Sequence, residues 1–421
     1  MKRNLLPVMA LLLGAAFLLA GNGLHGLLLP LRGTAEGFAP SSLGLLGTSW
    51  ASGFVLGCLF APRVVRRIGH VRAFSAFAST IAIIALLTGM LVDPVWWIAL
   101  RAVTGFSLAA TSMIIESWLN ERVTNESRGT VFSFYMMINY TSVVAGQMSV
   151  ALGDVHTTTF FMIAGILYCL ALLPTALSNA VSPSPLKEVN LDLGALYRNS
   201  PISFVGIFLI GVANGCFGTL GAVFGAAVDL PQATIALMMS VTLFAGAVVQ
   251  MPAGRVSDRI DRRYVLAVLA ALAAFAGLVI CFGQPSSIGF LFALVALYGA
   301  TSYSLYSVTV AHANDFADPA QYVKVSSGLL LLYGLGTIVG PTVGGLVMGW
   351  IGPYALFAVT GLAHLGITVY ALVRVRLRAA IPPSSRESFE VLPSSKVATP
   401  ESFALSPRGA GQQEGVTTPS A

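Results

Sequence analysis

Charge is what this 421-residue chain has least of: 10% of its residues are Asp, Glu, Lys or Arg, where an ordinary soluble domain carries roughly 25%. With 56% hydrophobic residues and a mean hydropathy of +0.82, it cannot be a solvated globular protein. Cysteine is also scarce. Cys58, Cys169, Cys216 and Cys281 all fall inside apolar runs, with no CxxC pair, which excludes a thiolate metal centre and leaves them as small packing residues. No HExxH, nucleophile elbow, paired-carboxylate constellation or Walker-type phosphate loop occurs. The expectation is therefore a protein that is no enzyme and no ATP-driven pump, with neither cofactor nor metal.

What is abundant is the long apolar run. A bilayer span needs about 20 such residues, and twelve candidates follow at about 5–29, 43–61, 73–92, 94–118, 130–152, 158–178, 202–227, 232–252, 264–283, 288–311, 326–349 and 353–373. With both termini cytoplasmic, all of the 23 Lys and Arg except Arg32 and Arg101 fall on the cytoplasmic side, as the positive-inside rule requires. The pI of about 9.2 thus reflects topology and anionic lipid, not nucleic acid. These features predict a multi-pass protein of the plasma (cytoplasmic) membrane, a monomer in the lipid bilayer. The first run continues past the length of a signal peptide and is read as a span.

The chain repeats itself. Asn22-Gly23-Leu24-His25-Gly26 returns as Asn214-Gly215-Cys216-Phe217-Gly218 (214 − 22 = 192), and Arg67-Ile68 returns as Arg259-Ile260 at the same offset. Gly105 and Gly299, Asn120 and Asn314, and Gly146 and Gly340 are each 194 apart. Duplication within membrane predicts an all-α protein of two pseudo-symmetric six-helix bundles that rock about a shared interface. The expected divisions are 1–178 for the first bundle, 179–200 for a polar cytoplasmic linker, 201–378 for the second bundle and 379–421 for a disordered cytoplasmic tail rich in Ser, Pro, Gly and Gln.

Loop motifs carry a resemblance. Gly254-Arg255-Val256-Ser257-Asp258-Arg259-Ile260-Asp261-Arg262-Arg263 is similar to the Gly-x-x-x-Asp-Arg-x-Gly-Arg-Arg signature of the major facilitator superfamily, departing at Asp261. The first copy is degenerate, with Arg66 where the acidic residue would stand, followed by Arg67, His70 and Arg72. Arg101 to Gly105 resembles the family's Arg-x-x-x-Gly element, and Gly336-x-x-x-Gly340-Pro341-x-x-Gly344-Gly345 its Gly-Pro helix motif. Glu116 to Glu121, Gln250 to Arg259 and His312-Ala313-Asn314-Asp315 resemble the YcaD-like branch. The resemblance covers roughly residues 5–375 and implies the major facilitator fold and a transporter, with no substrate to transfer.

Among single residues Arg101 is the sharpest. A charge at this depth costs at least ~2.5–3.5 kcal/mol on insertion scales, so it must face a cavity, as a contact for a substrate carboxylate or a charge that tunes a proton site, or bond carbonyls of the first span. Glu116, about 22 Å further along the helix, is either a protonatable coupling group or the partner of a basic 2–3 loop residue. Asn22, His25 and Asn214 are polar groups that need partners from facing helices or substrate; His25 is either packed or a proton carrier. Asn139, Gln147, Gln250, Tyr298, Tyr303 and Tyr306 complete the cavity candidates. Asp258 with Arg259, Arg262 and Arg263 forms a cytoplasmic latch or merely supplies topological charge, and Arg66, Arg67 and Arg72 cannot repeat it in the first half. Pro341 and its flanking glycines serve either close packing or a hinge. Together these predict a secondary active transporter moving a small-molecule substrate by alternating access, with protons as a candidate coupling ion. The alternative is a membrane sensor or partner-binding protein of the same fold.

Overall fold

The computed structural model describes residues 2–176, 192–318, 321–378, 381–382, 386, 389, 391–392 and 398–412. The expected linker therefore lies outside the described residues up to 191. The elements run α1 (Lys2–Ala35), α2 (Pro40–Ile68), α3 (His70–Met90), α4 (Pro94–Arg122), α5 (Asn125–Ser149) and α6 (Thr159–Ala176). After a short α7 (Leu193–Asn199) come α8 (Pro201–Ala227), α9 (Gln232–Arg259), α10 (Arg262–Gly283), α11 (Ile288–Asn314), α12 (Tyr322–Ile351), α13 (Ala355–Leu377) and a last turn, α14 (Pro400–Leu405). Ten of these helices are long and apolar enough to cross a membrane. Of the twelve spans counted from sequence, ten meet that measure among the described residues; α5 carries too many polar residues, and the described apolar part of α6 is Thr159–Pro174.

The helices begin where capping chemistry says they should. Asp93 accepts from the backbone of Val95 and Trp96 ahead of Pro94 to start α4, Ser200 with Pro201 starts α8, and Asp261 and Ser287 start α10 and α11. Gly69 closes α2 with φ +84°, a conformation open to glycine and costly for other residues.

The repeat is visible as packing. A Cβ on Gly105 of α4 would collide with the carbonyl of Trp50 on α2; one on Gly299 of α11 would collide with that of Thr242 on α9. Gly146 of α5 likewise meets the Ala20 carbonyl of α1, and Gly340 of α12 that of Val212 on α8. The targets are themselves 192 apart (242 − 50 and 212 − 20), so equivalent glycines seat equivalent helix crossings. The wider scheme agrees: α1 packs on α5 and α6 as α8 does on α12 and α13, α2 on α4 as α9 on α11, and α3 on α4 and α6 as α10 on α11 and α13.

The halves meet chiefly along α2 and α12, with smaller contacts of α5 on α9 and α8 on α1 and α2. One end of the molecule, the basic end, carries Arg63, Arg66, Arg67, Arg122, Arg128, Arg259, Arg262 and Arg263; the opposite end carries Asp93, Asp154 and Asp229. Part of the C-terminal tail, expected from sequence to be disordered, is packed among the described residues. Thr399 caps α14, and Leu392, Ala398, Thr399, Phe403 and Leu405 are buried, against α4 and α12 in the case of α14. A few apolar residues in a Ser- and Pro-rich stretch are enough to dock it.

Candidate functional site

A cavity of about 480 Å³ lies between the halves. It reaches from Pro30 and Leu43, near the opposite end, to Arg63 and Pro400 at the basic end. Towards the opposite end the α2–α12 contact closes it. There Gly44 fits under the Pro341 carbonyl and Gly345 under that of Pro40, while the Thr48 hydroxyl donates to the Ile338 carbonyl (2.9 Å) and stands 2.7 Å from the Thr342 hydroxyl. A second closure joins α9 to the end of α5, where the Gln232 amide donates to the carbonyls of Val150 (2.5 Å) and Gly153 (2.9 Å).

Arg101, two turns into α4, lines this cavity. Its guanidinium carbon sits 5.8 Å from the Trp50 ring centroid, within cation–π reach. Its Nε and Nη1 are sealed from solvent and have no hydrogen-bond partner among the described residues, so no α1 carbonyl receives them. Of the other cavity candidates, Asn22 and Gln147 also line the wall, and Gln147 accepts from Ser240 at 3.5 Å across the α5–α9 interface.

The remaining candidates turn elsewhere. His25 is fully buried edge-on to Phe161 and Tyr168 of α6, because residues three apart on a helix diverge by ~60°, enough to take it off the face that Asn22 shows the cavity. Asn214 faces into the second half, where its side-chain oxygen accepts from Ser302 (2.6 Å); Ser302 is 2.9 Å from His364 Nε2, and His364 Nδ1 is 2.7 Å from the Thr360 carbonyl. Asn214, Ser302 and His364 thus sit together as a polar cluster inside the bundle. Gln250 donates to Ser307 and to the Leu392 carbonyl, and Asn139 is buried off the cavity. Tyr298 is buried against Phe217 and Phe357, Tyr306 is edge-on to Tyr333, and Tyr303 packs on Gly246. The tyrosine that lines the cavity is Tyr333, which with Trp50 escaped the sequence reading; neither is signalled by anything except which side of its helix it occupies.

Glu116 pairs with no 2–3 loop base. Tyr135 donates to one of its oxygens at 2.8 Å and the Thr399 hydroxyl of the tail donates to the other. At the basic end Arg262 bridges two carboxylates, Asp258 at 3.0 Å and Asp315 at 2.7 Å, tying α9, α10 and α11 together. Arg263 closes on Asp261 at 2.6 Å and also donates to the Arg374 and Arg378 carbonyls. Burial pushes the Asp261 carboxyl up, but the hydrogen bonds and charge of Arg263 outweigh it and hold it below its ordinary value. Arg259 joins neither carboxylate cluster. Arg66, Arg67 and Arg72 are exposed in the first half.

An all-helical, multi-pass membrane protein with a closed end and a cavity between its halves has the architecture of a membrane transport protein. The chain belongs to the Major Facilitator Superfamily. The family model matches it over residues 11–221 and 203–408. Relatives include the uncharacterized MFS-type transporter YcaD of Shigella flexneri serotype 5b (strain 8401), 26% identical over 349 residues, 81% of this chain and 89% of the relative. YcaD of Salmonella arizonae is 26% identical over 350 residues, 81% of this chain and 89% of the relative. Among solved structures, the nucleoside transporter NupG superposes with a TM-score of 0.73 at 14% identity, covering 89% of this chain and 99% of that one. A bacterial homolog of the human lysosomal transporter Spinster, inward-facing and occupied, gives 0.70 at 15% identity, covering 90% and 98%. At these identities the structures speak for the fold alone.

Proposed function

We propose that the protein is a secondary active transporter that moves a small molecule by alternating access, with two six-helix bundles of twelve spans, the basic end and both termini cytoplasmic, and a single chain as the working unit. α5 and α6 are the two spans that hydropathy alone does not reach; α5 packs between α1 and α9 and α6 between α1 and α3, where neighbouring helices shield part of their surface from lipid. The observation that carries this reading is the cavity between like halves, closed at the opposite end and holding Arg101 in its wall. Glu116, held by hydroxyl and backbone donors with no basic partner among the described residues, is the carboxylate in a position to couple movement to protons.

The test is uptake into proteoliposomes from a broad metabolite panel, with and without an imposed pH gradient. Accumulation of a panel member in the native protein, lost on collapsing the gradient, is the expected outcome. If no solute crosses while one still binds, a sensor of the same fold replaces this reading. Glu116→Gln should abolish the pH dependence, and a proton dependence that survives it removes Glu116 from coupling.

A further inference from the structure

The chemistry of the cavity wall identifies what it holds, on the reading that the cavity is the transport site. Its charged lining residues are Arg63 and Arg101; no Asp or Glu is among the described residues that line it. Arg63 is exposed at the basic mouth, 5.3 Å from the Phe60 ring centroid, whereas Arg101 is deep, with Nε and Nη1 unsatisfied. A guanidinium out of water needs a counter-charge, and its planar fork matches a carboxylate in bidentate geometry. Tyr168, His25 and Trp50, the groups near it, supply no full negative charge. The same cavity is lined by Leu27, Leu46, Phe54, Met113, Met239 and Leu330, which offer dispersion and hydrophobic contact to an apolar body. The volume lies within the range of small-molecule sites, roughly 300–1,000 Å³. We infer that the substrate is an organic anion with one carboxylate-type head, held by Arg101, and an apolar body held by these side chains.

Binding tests this without requiring transport. The full chain in detergent is titrated with medium-chain and aromatic carboxylates, with amines and amides of the same bodies, and with chloride alone, following the midpoint of thermal unfolding. Carboxylates should raise it saturably and the amines should not; Arg101→Gln should weaken carboxylate binding at least about tenfold, as loss of a charged hydrogen bond implies, and Arg101→Lys should weaken it less. Equal responses to amine and carboxylate, an unchanged affinity in Arg101→Gln, or a chloride response that accounts for the whole shift would each overturn the proposal. A cation or neutral solute accumulating in proteoliposomes would sink this inference and leave the transporter standing. Carboxylate binding without movement would do the reverse.

A different observation carries a second inference: the tail joins the two halves at the basic end. Towards the first half, the Thr399 hydroxyl donates to Glu116 and Arg128 donates to the Ala404 carbonyl (2.9 Å) and to Asn120 (2.6 Å). Towards the second, the Phe389 amide donates to the Asp258 carboxylate (3.0 Å), Gln250 donates to the Leu392 carbonyl (3.3 Å) and Ser406 donates to the Tyr322 hydroxyl (3.3 Å). Phe403 is buried edge-on to Tyr322, and Pro400 forms part of the cavity wall. Rocking of the halves must change the separation of α4 from α12, which α14 spans. The geometry points to the tail as an autoinhibitory plug that closes the cavity at the basic end and must leave before the halves can exchange sides.

Cys58 reports on it, being the one cysteine among the described residues lining the cavity. In a background with Cys169, Cys216 and Cys281 replaced by Ala, a membrane-impermeant maleimide is applied to the basic side. A chain truncated after Arg386 and the Phe403→Ala variant should both label at least about tenfold faster than the full chain, a loosening of ~1.4 kcal/mol. Gel filtration tells whether the truncated chain is folded, and Phe403→Ala carries the test if it is not. Unchanged labelling in the folded variants would overturn the plug.

Discussion

The two halves of this transporter share a scaffold and divide the chemistry. Equivalent glycines seat equivalent crossings, and each helix of the first half packs on the counterparts of the main neighbours found in the second. Yet Arg101 corresponds to Val295 (295 − 101 = 194), which is fully buried, and Asn22 in the cavity wall corresponds to Asn214 in an internal polar chain. At the basic end the roles reverse. Asp258 and Arg262 of the second half correspond to Arg66 and His70 of the first (258 − 66 and 262 − 70 are both 192), so the Asp258 carboxylate of the clasp has no acidic counterpart there. The repeat keeps backbone approach, which depends on small residues at fixed spacing, and leaves side chains free to specialise. The first half places a charge, Arg101, in the cavity wall; the second half is internally braced.

The largest expected effect comes from imposing the symmetry that is missing. Val295→Arg places a cation where no cavity receives it, at an expected cost of at least about 3 kcal/mol by insertion scales, with overpacking in addition. Arg101→Leu should leave the unfolding midpoint equal or higher, since it removes an unpartnered charge from apolar surroundings. Thermal unfolding in detergent measures both. Equal tolerance of the two changes would mean the halves are not chemically divided at this level.

Next is the clasp. Arg262→Ala strips the buried Asp315 of its guanidinium and should cost about 3–5 kcal/mol, the range for breaking a buried ion pair. Asp258→Asn, whose carboxylate is partly exposed, should cost less but still impair transport more than Arg66→Ala, an exposed change expected within ~0.5 kcal/mol. Comparable losses at Arg66 and Arg262 would show that the basic end is not unequally braced.

Much of this was legible in the sequence, and the misses share one cause. Apolar runs and the glycine repeat announce helices and their crossings because both depend on local spacing. Arg101, Asn22 and Gln147 announced themselves as polar groups in apolar runs, and they do line the cavity. His25, Asn214, Gln250, Tyr298, Tyr303 and Tyr306 announced themselves equally, and they do not. A polar residue in a span can be satisfied by a cavity or by a neighbouring helix, and the choice depends on how the helix is rotated, which no single run records. Asp315 could have been found, since it ends a motif whose acidic partner position is already marked by Asp258. The docked tail could not: its composition reads as solvated, and the burial of Phe403 and Leu405 depends on surfaces of α4 and α12 that lie at least 52 residues away in the chain (403 − 351).

A smaller effect separates the two asparagines. Ser302→Ala removes the hydroxyl between Asn214 and His364 and leaves buried polar atoms unpaired, at an expected cost of about 1–3 kcal/mol in unfolding free energy. Asn22→Ala should leave stability within ~0.5 kcal/mol and change the apparent affinity for the transported molecule instead. Measuring unfolding and uptake on the same pair sharpens the comparison, and a stability loss at Asn22 as large as that at Ser302 would place both in structural roles.

The least effect is expected at the closed end, where the halves meet each other. Thr48→Val keeps the shape of the side chain while deleting the bond to Ile338 and the contact with Thr342, and a hydrogen bond of this kind contributes about 0.5–1.5 kcal/mol. Fold stability should barely change, because the α2–α12 contact also rests on Gly44 and Gly345. What should shift, by about 2- to 12-fold, is the equilibrium between closed and open forms of that end, read from spin-label distances across it. Gln232→Ala deletes the bonds at the α5–α9 closure, one of which is exposed to water that can replace it, so its shift should be smaller. If Gln232→Ala opens the end more than Thr48→Val, the governing seal is the α5–α9 contact, and the two crossings between the halves exchange the importance assigned to them.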